Sequence, residues 1–208
     1  MALDVTGHYL VVGEYGSSTT WDALCLSIGS VGTLSLSSSQ TGIAGDVSYF
    51  YADPSSTNGD YLYGSYEGEF YTLSINSGTI TVTADSSIVP NNNTTTTPAW
   101  IDPTGTWLFL AELDGSNDSE TLVQYRINSD GSLTAGTMSP VQIATGSNGS
   151  VGGFTESPGF YDSANGIVEI PVGGYLTTYS YNALTGSLTA LSLHTGDAPG
   201  GIMVAYAQ

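Results

Sequence analysis

Apolar residues fall in short runs along this chain, and turn residues separate them. Trp107-Leu108-Phe109-Leu110 is almost wholly apolar, as expected of a strand buried on both faces. Leu122-Val123-Gln124-Tyr125-Arg126-Ile127 alternates in part, and Trp100-Ile101 closes an earlier run. Asp102-Pro103-Thr104-Gly105 stands between two of these runs: proline presets φ, and glycine is free to take a positive φ. Asn128-Ser129-Asp130-Gly131 is a second tight turn, leading into Ser132-Leu133-Thr134. The pattern predicts short strands joined by hairpins. The 3.6-residue period of an amphipathic helix is absent.

This unit repeats. The aspartate of the first turn recurs as Asp4, Asp53 and Asp102, at separations of 53 − 4 = 49 and 102 − 53 = 49 residues. The second turn recurs at Gly32-Thr33-Leu34, Gly78-Thr79-Ile80, Gly131-Ser132-Leu133 and Gly186-Ser187-Leu188. Apolar runs follow the first turn at Tyr9 to Val12, Tyr61 to Tyr63, Trp107 to Leu110 and Ile167 to Ile170. Further strands precede the second turn at Leu24 to Ile28, Phe70 to Ile75, Leu122 to Ile127 and Leu176 to Tyr181. In the fourth copy Ser157-Pro158 stands where Asp-Pro is expected. A period of about 50 residues carrying four short strands fits a propeller blade. The expected fold is therefore all-β: a β-propeller-like array of about four four-stranded antiparallel blades. It forms a single repeat domain over 1–208, with approximate repeats 1–50, 51–99, 100–153 and 154–208. The alternative is a Greek-key sandwich with chance similarity among its turns. Pro90 to Pro98 (PNNNTTTTP) reads as a polar loop between the second and third repeats, and Gly146 to Phe154 as the lead into the fourth.

The succession of strand, DPTG, WLFLAE, loop and VQYRINSDGSLT resembles the repeat of the lactonase-type β-propellers, the 6-phosphogluconolactonase-like family. The likeness covers nearly the whole chain. It implies a propeller fold, seven-bladed in that family where four repeats are visible here, and it implies hydrolysis of a lactone. Some relatives use a His, Glu and Arg set. Arg126 lies in the third strand of its blade, which does not match a position lining a central channel, so no catalytic residue carries over.

The ends of the sequence add an expectation about assembly. Met1-Ala2-Leu3 falls in the middle of a would-be first strand, so the sequence is expected to begin inside a repeat. The segment from Ala198 to Ala207 looks like one further first strand, with Pro199, Ile202, Met203, Val204 and Ala205 as its strand-exchange residues. Such a strand completes the first blade, either of its own chain, closing a ring, or of a neighbouring copy, building an oligomer or filament. Pairing with a neighbour is favoured, because four blades of a seven-bladed type must change curvature to close.

Charge narrows the partners. Lys+Arg is 1, that one being Arg126, against 19 Asp+Glu, for a formal net charge of −18. Nucleic acid is excluded because no cations are present to displace its counterions. Anionic membranes and phosphorylated substrates are disfavoured on the same ground. No apolar run approaches the length of a membrane helix, and no signal peptide is visible. The 14 Tyr, 5 Phe and 3 Trp argue for a packed structure rather than acidic disorder. Cys25, within Leu24-Cys25-Leu26, reads as a small buried hydrophobe.

Candidate chemistry is sparse. His8 and His194 share no metal spacing and read as solvent-facing or hydrogen-bonded side chains. Asp114, Ser116, Asp118 and Glu120 alternate like the start of a calcium loop, making Asp114, Asp118 and Glu120 candidate ligands for a weakly bound calcium. No other cofactor is expected, and the competing explanation is a solvated acidic turn. Glu14, Glu67, Glu69, Glu112 and Glu169 fall in or just after second strands, where radial blades would gather them at one face for acid/base work or leave them as repeated surface residues. No GxSxG, phosphate loop or dinucleotide fingerprint occurs. Sequons at Asn92, Asn93, Asn117 and Asn148 lie in loops where a glycan is tolerated. Trp21, Trp100 and Trp107 are candidates for stacking on sugars, with blade packing the competing role for Trp100 and Trp107. From the absent lysine, the hydroxyl-rich surface and the spare strand, the expectation is a non-enzymatic extracellular or cell-surface structural protein. The alternatives are a lactone hydrolase and a carbohydrate-binding propeller.

Overall fold

The computed structural model describes residues 1–17, 20–44, 49–52, 61–66, 69–84, 94–114, 119–145, 159–172 and 175–194. Among them there is no helix. The first sheet holds β1 (Ala2–Leu3), β2 (Tyr9–Ser17), β3 (Thr20–Ile28) and β4 (Leu34–Ala44). The second holds β5 (Tyr49–Ala52), β6 (Tyr61–Tyr66), β7 (Glu69–Asn76) and β8 (Thr79–Ala84). The third holds β9 (Thr94–Ile101), β10 (Trp107–Asp114), β11 (Ser119–Ile127), β12 (Leu133–Ala135) and β13 (Val141–Thr145). The fourth holds β14 (Phe160–Asp162), β15 (Ile167–Val172), β16 (Tyr175–Asn182) and β17 (Ser187–His194). Each sheet is an antiparallel meander in sequence order, and β12 and β13 share the outer edge of β11. These are four propeller-like blades, and the two-sheet sandwich is ruled out.

Each blade is a single sheet with two faces, so it buries neither face alone. The alternation of the strands is resolved by stacking. Val11, Trp21, Ala23 and Cys25 of the first blade pack against Leu62, Leu73, Ile75 and Ile80 of the second. Tyr63 and Phe70, on the other side of the second blade, meet Leu108, Leu110 and Leu133 of the third. Trp100 and Phe109, on the far side of the third, meet Val168, Ile170, Tyr179 and Leu188 of the fourth. Consecutive residues of β10 thus serve different interfaces, which explains why that run is apolar at every position. The first strands adjoin from blade to blade, β1 beside β5 and β5 beside β9, as in a fan around a common axis.

Polar side chains join the blades as well. Ser38 Oγ donates to the Gly78 carbonyl and accepts from the Ile80 amide, at 2.7 and 2.9 Å. Gln40 bridges Val82 through both its amide atoms. Tyr63 Oη donates to the Gly131 carbonyl at 3.2 Å. Gln124 Nε2 donates to the Gly186 carbonyl at 2.7 Å, while its Oε1 accepts from the Met138 amide at 3.1 Å. Each bond satisfies a backbone group of an outer edge strand or a turn that the ladders leave unpaired.

The first turn is built on a buried carboxylate. Asp102 is fully buried and accepts from Thr104 Oγ1 at 2.6 Å, from the amides of Thr106 and Trp107 at 2.7 Å each, and from the Tyr181 hydroxyl of the next blade at 3.0 Å. Asp4 repeats the motif, binding Thr6 through its hydroxyl and the Tyr9 amide at 2.6 Å. Gly105 closes the turn at φ 66°. The fourth copy departs from expectation. Its turn aspartate is Asp162, not Ser157-Pro158: Asp162 pairs with Ile167 as Asp102 faces Trp107, with four residues between in each case. Its loop, Ser-Ala-Asn-Gly, moves glycine one place later, and this hid the equivalence. A second correction concerns the PNNNTTTTP tract. Thr94 to Thr97 are strand, paired with Asp114 to Ala111, because four β-branched residues complete the ladder of β10. The strand-exchange residues Pro199, Ile202, Met203, Val204 and Ala205 lie outside the described residues.

Replacing Asp102 with Ala strands several buried donors, among them the Tyr181 hydroxyl. Unfolding in denaturant should show a loss of about 3 kcal/mol or more. Asp162→Ala, at an exposed turn, should lose much less; equal losses would contradict the role given to burial.

Candidate functional site

The meander gives the blades two unlike ends. One carries the aspartate turns and the turns between third and fourth strands. At the other end the second strands finish, the third strands start and the fourth strands finish. Arg126 is exposed and belongs to the first end, opposite Trp107 at the start of β10. With Thr106, Ile127, Asn128 and Ser129 it lines a shallow cavity of about 460 Å³. His8 is at the same end, exposed, its Nδ1 3.0 Å from Thr6 Oγ1.

Glu112 and Glu14 lie at the other end. Glu112 lies between Thr96 of β9 and Thr121 of β11, at the pleat position that continues Leu108 and Leu110 toward the second blade. It is half-buried, and that burial raises its carboxyl above the ordinary carboxylate range. Glu14 takes the same position in the first blade but is exposed, opposite Asp22. Asp22 Oδ1 accepts from the Gly42 amide at 2.9 Å. The five glutamates singled out from sequence are therefore not equivalent. Glu169 sits at the third position of β15, aligned with Val11 and Phe109 rather than with Glu112. Glu69 opens β7 and Glu67 lies outside the described residues.

Arg126 and Glu112 are separated along the blade by five residues of β10, about 17 Å at strand spacing. A Glu–Arg pair across one substrate is out of reach for these two residues, which supports leaving the family's triad unassigned. Asp114 is paired with Ser119, and Glu120 with Leu113. Asp118 lies outside the described residues, and among these no group of three or more His, Cys, Asp or Glu could hold a metal ion. Asn92, Asn93, Asn117 and Asn148 also lie outside them. Trp21 and Trp100 are buried in blade interfaces and cannot stack on a sugar; Trp107 is half-buried beside Gly186. Cys25 is buried, as expected.

No protein-family model and no curated protein matches the chain. Solved structures do. A protein from Bacteroides fragilis provisionally named 6-phosphogluconolactonase superposes with a TM-score of 0.66 at 16% identity, over 93% of this chain and 55% of that one. The periplasmic gluconolactonase of Pseudomonas aeruginosa gives 0.64 at 17% identity, again over 93% and 55%. A protein from Lactobacillus plantarum gives 0.59 at 19% identity, over 88% and 55%. The chain spans about half the length of these structures, and its fold is that of the lactonase-type propellers. The expectation of a non-enzymatic structural or assembly protein is overturned here: the fold is shared with proteins named as lactone hydrolases, in agreement with the alternative drawn from the repeat.

The raised carboxyl of Glu112 has a thermodynamic consequence. Folding favours its protonated form, so the wild type loses stability as pH rises through the ordinary glutamate value, about 4.3, toward the folded value. Glu112→Gln should therefore melt higher than wild type at neutral pH, with the gap closing in acid. A gap independent of pH would contradict the burial of this carboxyl.

Proposed function

We propose that this chain is the catalytic array of a lactone hydrolase acting on sugar lactones without phosphate, with Glu112 as general base. The observation that carries the proposal is Glu112 itself, a half-buried carboxylate of raised basicity at the end of its blade opposite the aspartate turn. Kinship of fold with proteins named gluconolactonases supports the reaction class. A carboxylate whose affinity for protons is raised toward neutrality is a better base at working pH than a solvated one. It takes a proton from water as the water oxygen attacks the lactone carbonyl. The acyl C–O bond of the ring then breaks, and the proton passes to the departing ring oxygen, leaving a hydroxy acid.

Charge sets the substrate class. A phosphate would approach a chain of net charge −18 whose single Arg lies at the opposite end from Glu112. An extracellular or cell-surface location accompanies the proposal, supported by the hydroxyl-rich, lysine-free composition. No part of the chemistry calls for calcium.

Hydrolysis of glucono-δ-lactone, followed against the spontaneous rate, tests this. Wild type should exceed background, with a rate that rises with pH as Glu112 ionises. Glu112→Gln should lower the rate by about 10²- to 10⁴-fold, and the 6-phosphorylated lactone should turn over more slowly. No turnover of any sugar lactone would end the proposal.

A further inference from the structure

One position breaks the likeness between the blades. The residue paired with the start of the second strand is serine in three of them: Ser27 opposite Tyr9, Ser74 opposite Tyr61 and Ser180 opposite Ile167. In the third blade it is Arg126, opposite Trp107. Ser27 and Ser180 donate to the carbonyls of Ser35 and Thr189 on their own outer strands, at 3.2 and 3.5 Å. The Arg126 guanidinium makes no hydrogen bond or ion pair among the described residues, in a chain that carries 19 Asp and Glu. The carboxylates at its end of the blades are engaged elsewhere. Asp130 Oδ1 accepts from the Ser132 amide and hydroxyl at 3.1 and 2.6 Å, and Asp162 from Ala164 and Asn165 at 3.0 and 2.6 Å. The third blade has a neighbour on each side, so Arg126 stands at the end of the stack and not on a terminal face.

Hydrogen-bond direction fixes the character of the cavity beside it, which Thr106, Asn128 and Ser129 also line. A hydroxyl has one hydrogen. That of Thr104 goes to Asp102 Oδ2 at 2.6 Å. The 2.8 Å contact between the hydroxyls of Thr104 and Thr106 is therefore donated by Thr106. Thr106 Oγ1 is left with lone pairs only. Asn128 Nδ2 donates to Ser132 Oγ and Thr134 Oγ1, at 3.0 and 2.9 Å, and keeps Oδ1 as an acceptor. The cavity thus joins a cation that only donates to two neutral oxygens that only accept.

We propose that this cavity is a binding site for a polyhydroxy monocarboxylate, a sugar acid. The guanidinium holds the planar carboxylate through two parallel hydrogen bonds. Hydroxyls on the neighbouring carbons donate to Thr106 Oγ1 and Asn128 Oδ1. A neutral polyol lacks the group that Arg126 recognises, and a simple carboxylate lacks the hydroxyls. A phosphate ester brings more acceptor oxygens and more charge to a site with one cation, in a chain of net charge −18. The cavity is shallow and Arg126 is exposed, so the affinity is in the millimolar range. The site lies about 17 Å from Glu112 and does not depend on hydrolysis there. Where hydrolysis does occur, its hydroxy-acid product belongs to the class bound here.

The single arginine gives one guanidinium Nε resonance, a reporter of this site alone. Titrated with gluconate at fixed ionic strength, the intact chain should shift that resonance to saturation. Sorbitol should leave it in place, and acetate and phosphate should bind at least about tenfold more weakly than gluconate. Arg126→Gln, at an exposed position, should melt near wild type and lose gluconate binding, followed through the proton resonances of the ligand. Thr106→Val should weaken gluconate and leave acetate unchanged, while Glu112→Gln should bind gluconate as wild type does. An Nε resonance unmoved by gluconate overturns the proposal. So does acetate matching gluconate, which would make Arg126 a plain anion contact. Binding lost in Glu112→Gln but kept in Arg126→Gln would place the acid at the other end of the blade and overturn it as well.

Discussion

The structure depends on the contact between the facing sides of successive blades. A four-stranded meander of this size exposes as much apolar surface on one side as on the other, and cannot fold as a unit by itself. Stacking converts both sides into interior. Burying a Leu, Phe or Val side chain contributes about 1.5–3 kcal/mol, and each interface described here gathers seven to ten buried side chains. Stability is therefore held between blades rather than within them. The hydrogen bonds of Ser38, Gln40, Tyr63 and Gln124 add register to this contact, because each fixes one blade's outer edge or turn against its neighbour's backbone.

The same stacking organises the chemistry. Alternation sends every second residue of a strand to one interface and the rest to the other, so apolar demand is highest in mid-strand and relaxes toward the hairpin ends. Glu112 is placed where that relaxation begins, close enough to the interface for partial burial and far enough to reach solvent. The turn aspartates at the other end have a different role. Asp102 and Asp4 are enclosed by hydrogen bonds and organise loops; they are unavailable to a substrate. The chain's single Arg and its half-buried Glu are thus held at opposite ends of one blade by the length of β10.

Much of the fold was legible because a blade repeats its punctuation. The second-turn glycines and the runs that precede them mark third strands correctly in all four copies. What misled was local. The displaced glycine in Ser163-Ala164-Asn165-Gly166 concealed the fourth turn aspartate, and the polarity of Thr94 to Thr97 concealed a strand. The site was less legible than the fold. Counting carboxylates in second strands grouped Glu112 with Glu169, yet one residue of parity sends them to different environments. Which carboxylate is partly desolvated depends on what the adjoining blade presents, and that is a tertiary fact with no trace in a single strand.

The stacking of blade on blade is tested most directly by a double-mutant cycle across one interface. Trp100 of the third blade and Tyr181 of the fourth meet edge to face, with ring centroids 4.9 Å apart. Trp100→Leu and Tyr181→Leu, separately and together, should show a coupling of about 0.5–1.5 kcal/mol in unfolding free energy. Effects that add to within about 0.3 kcal/mol would mean that the two rings do not touch, and that these sheets are not stacked face to face.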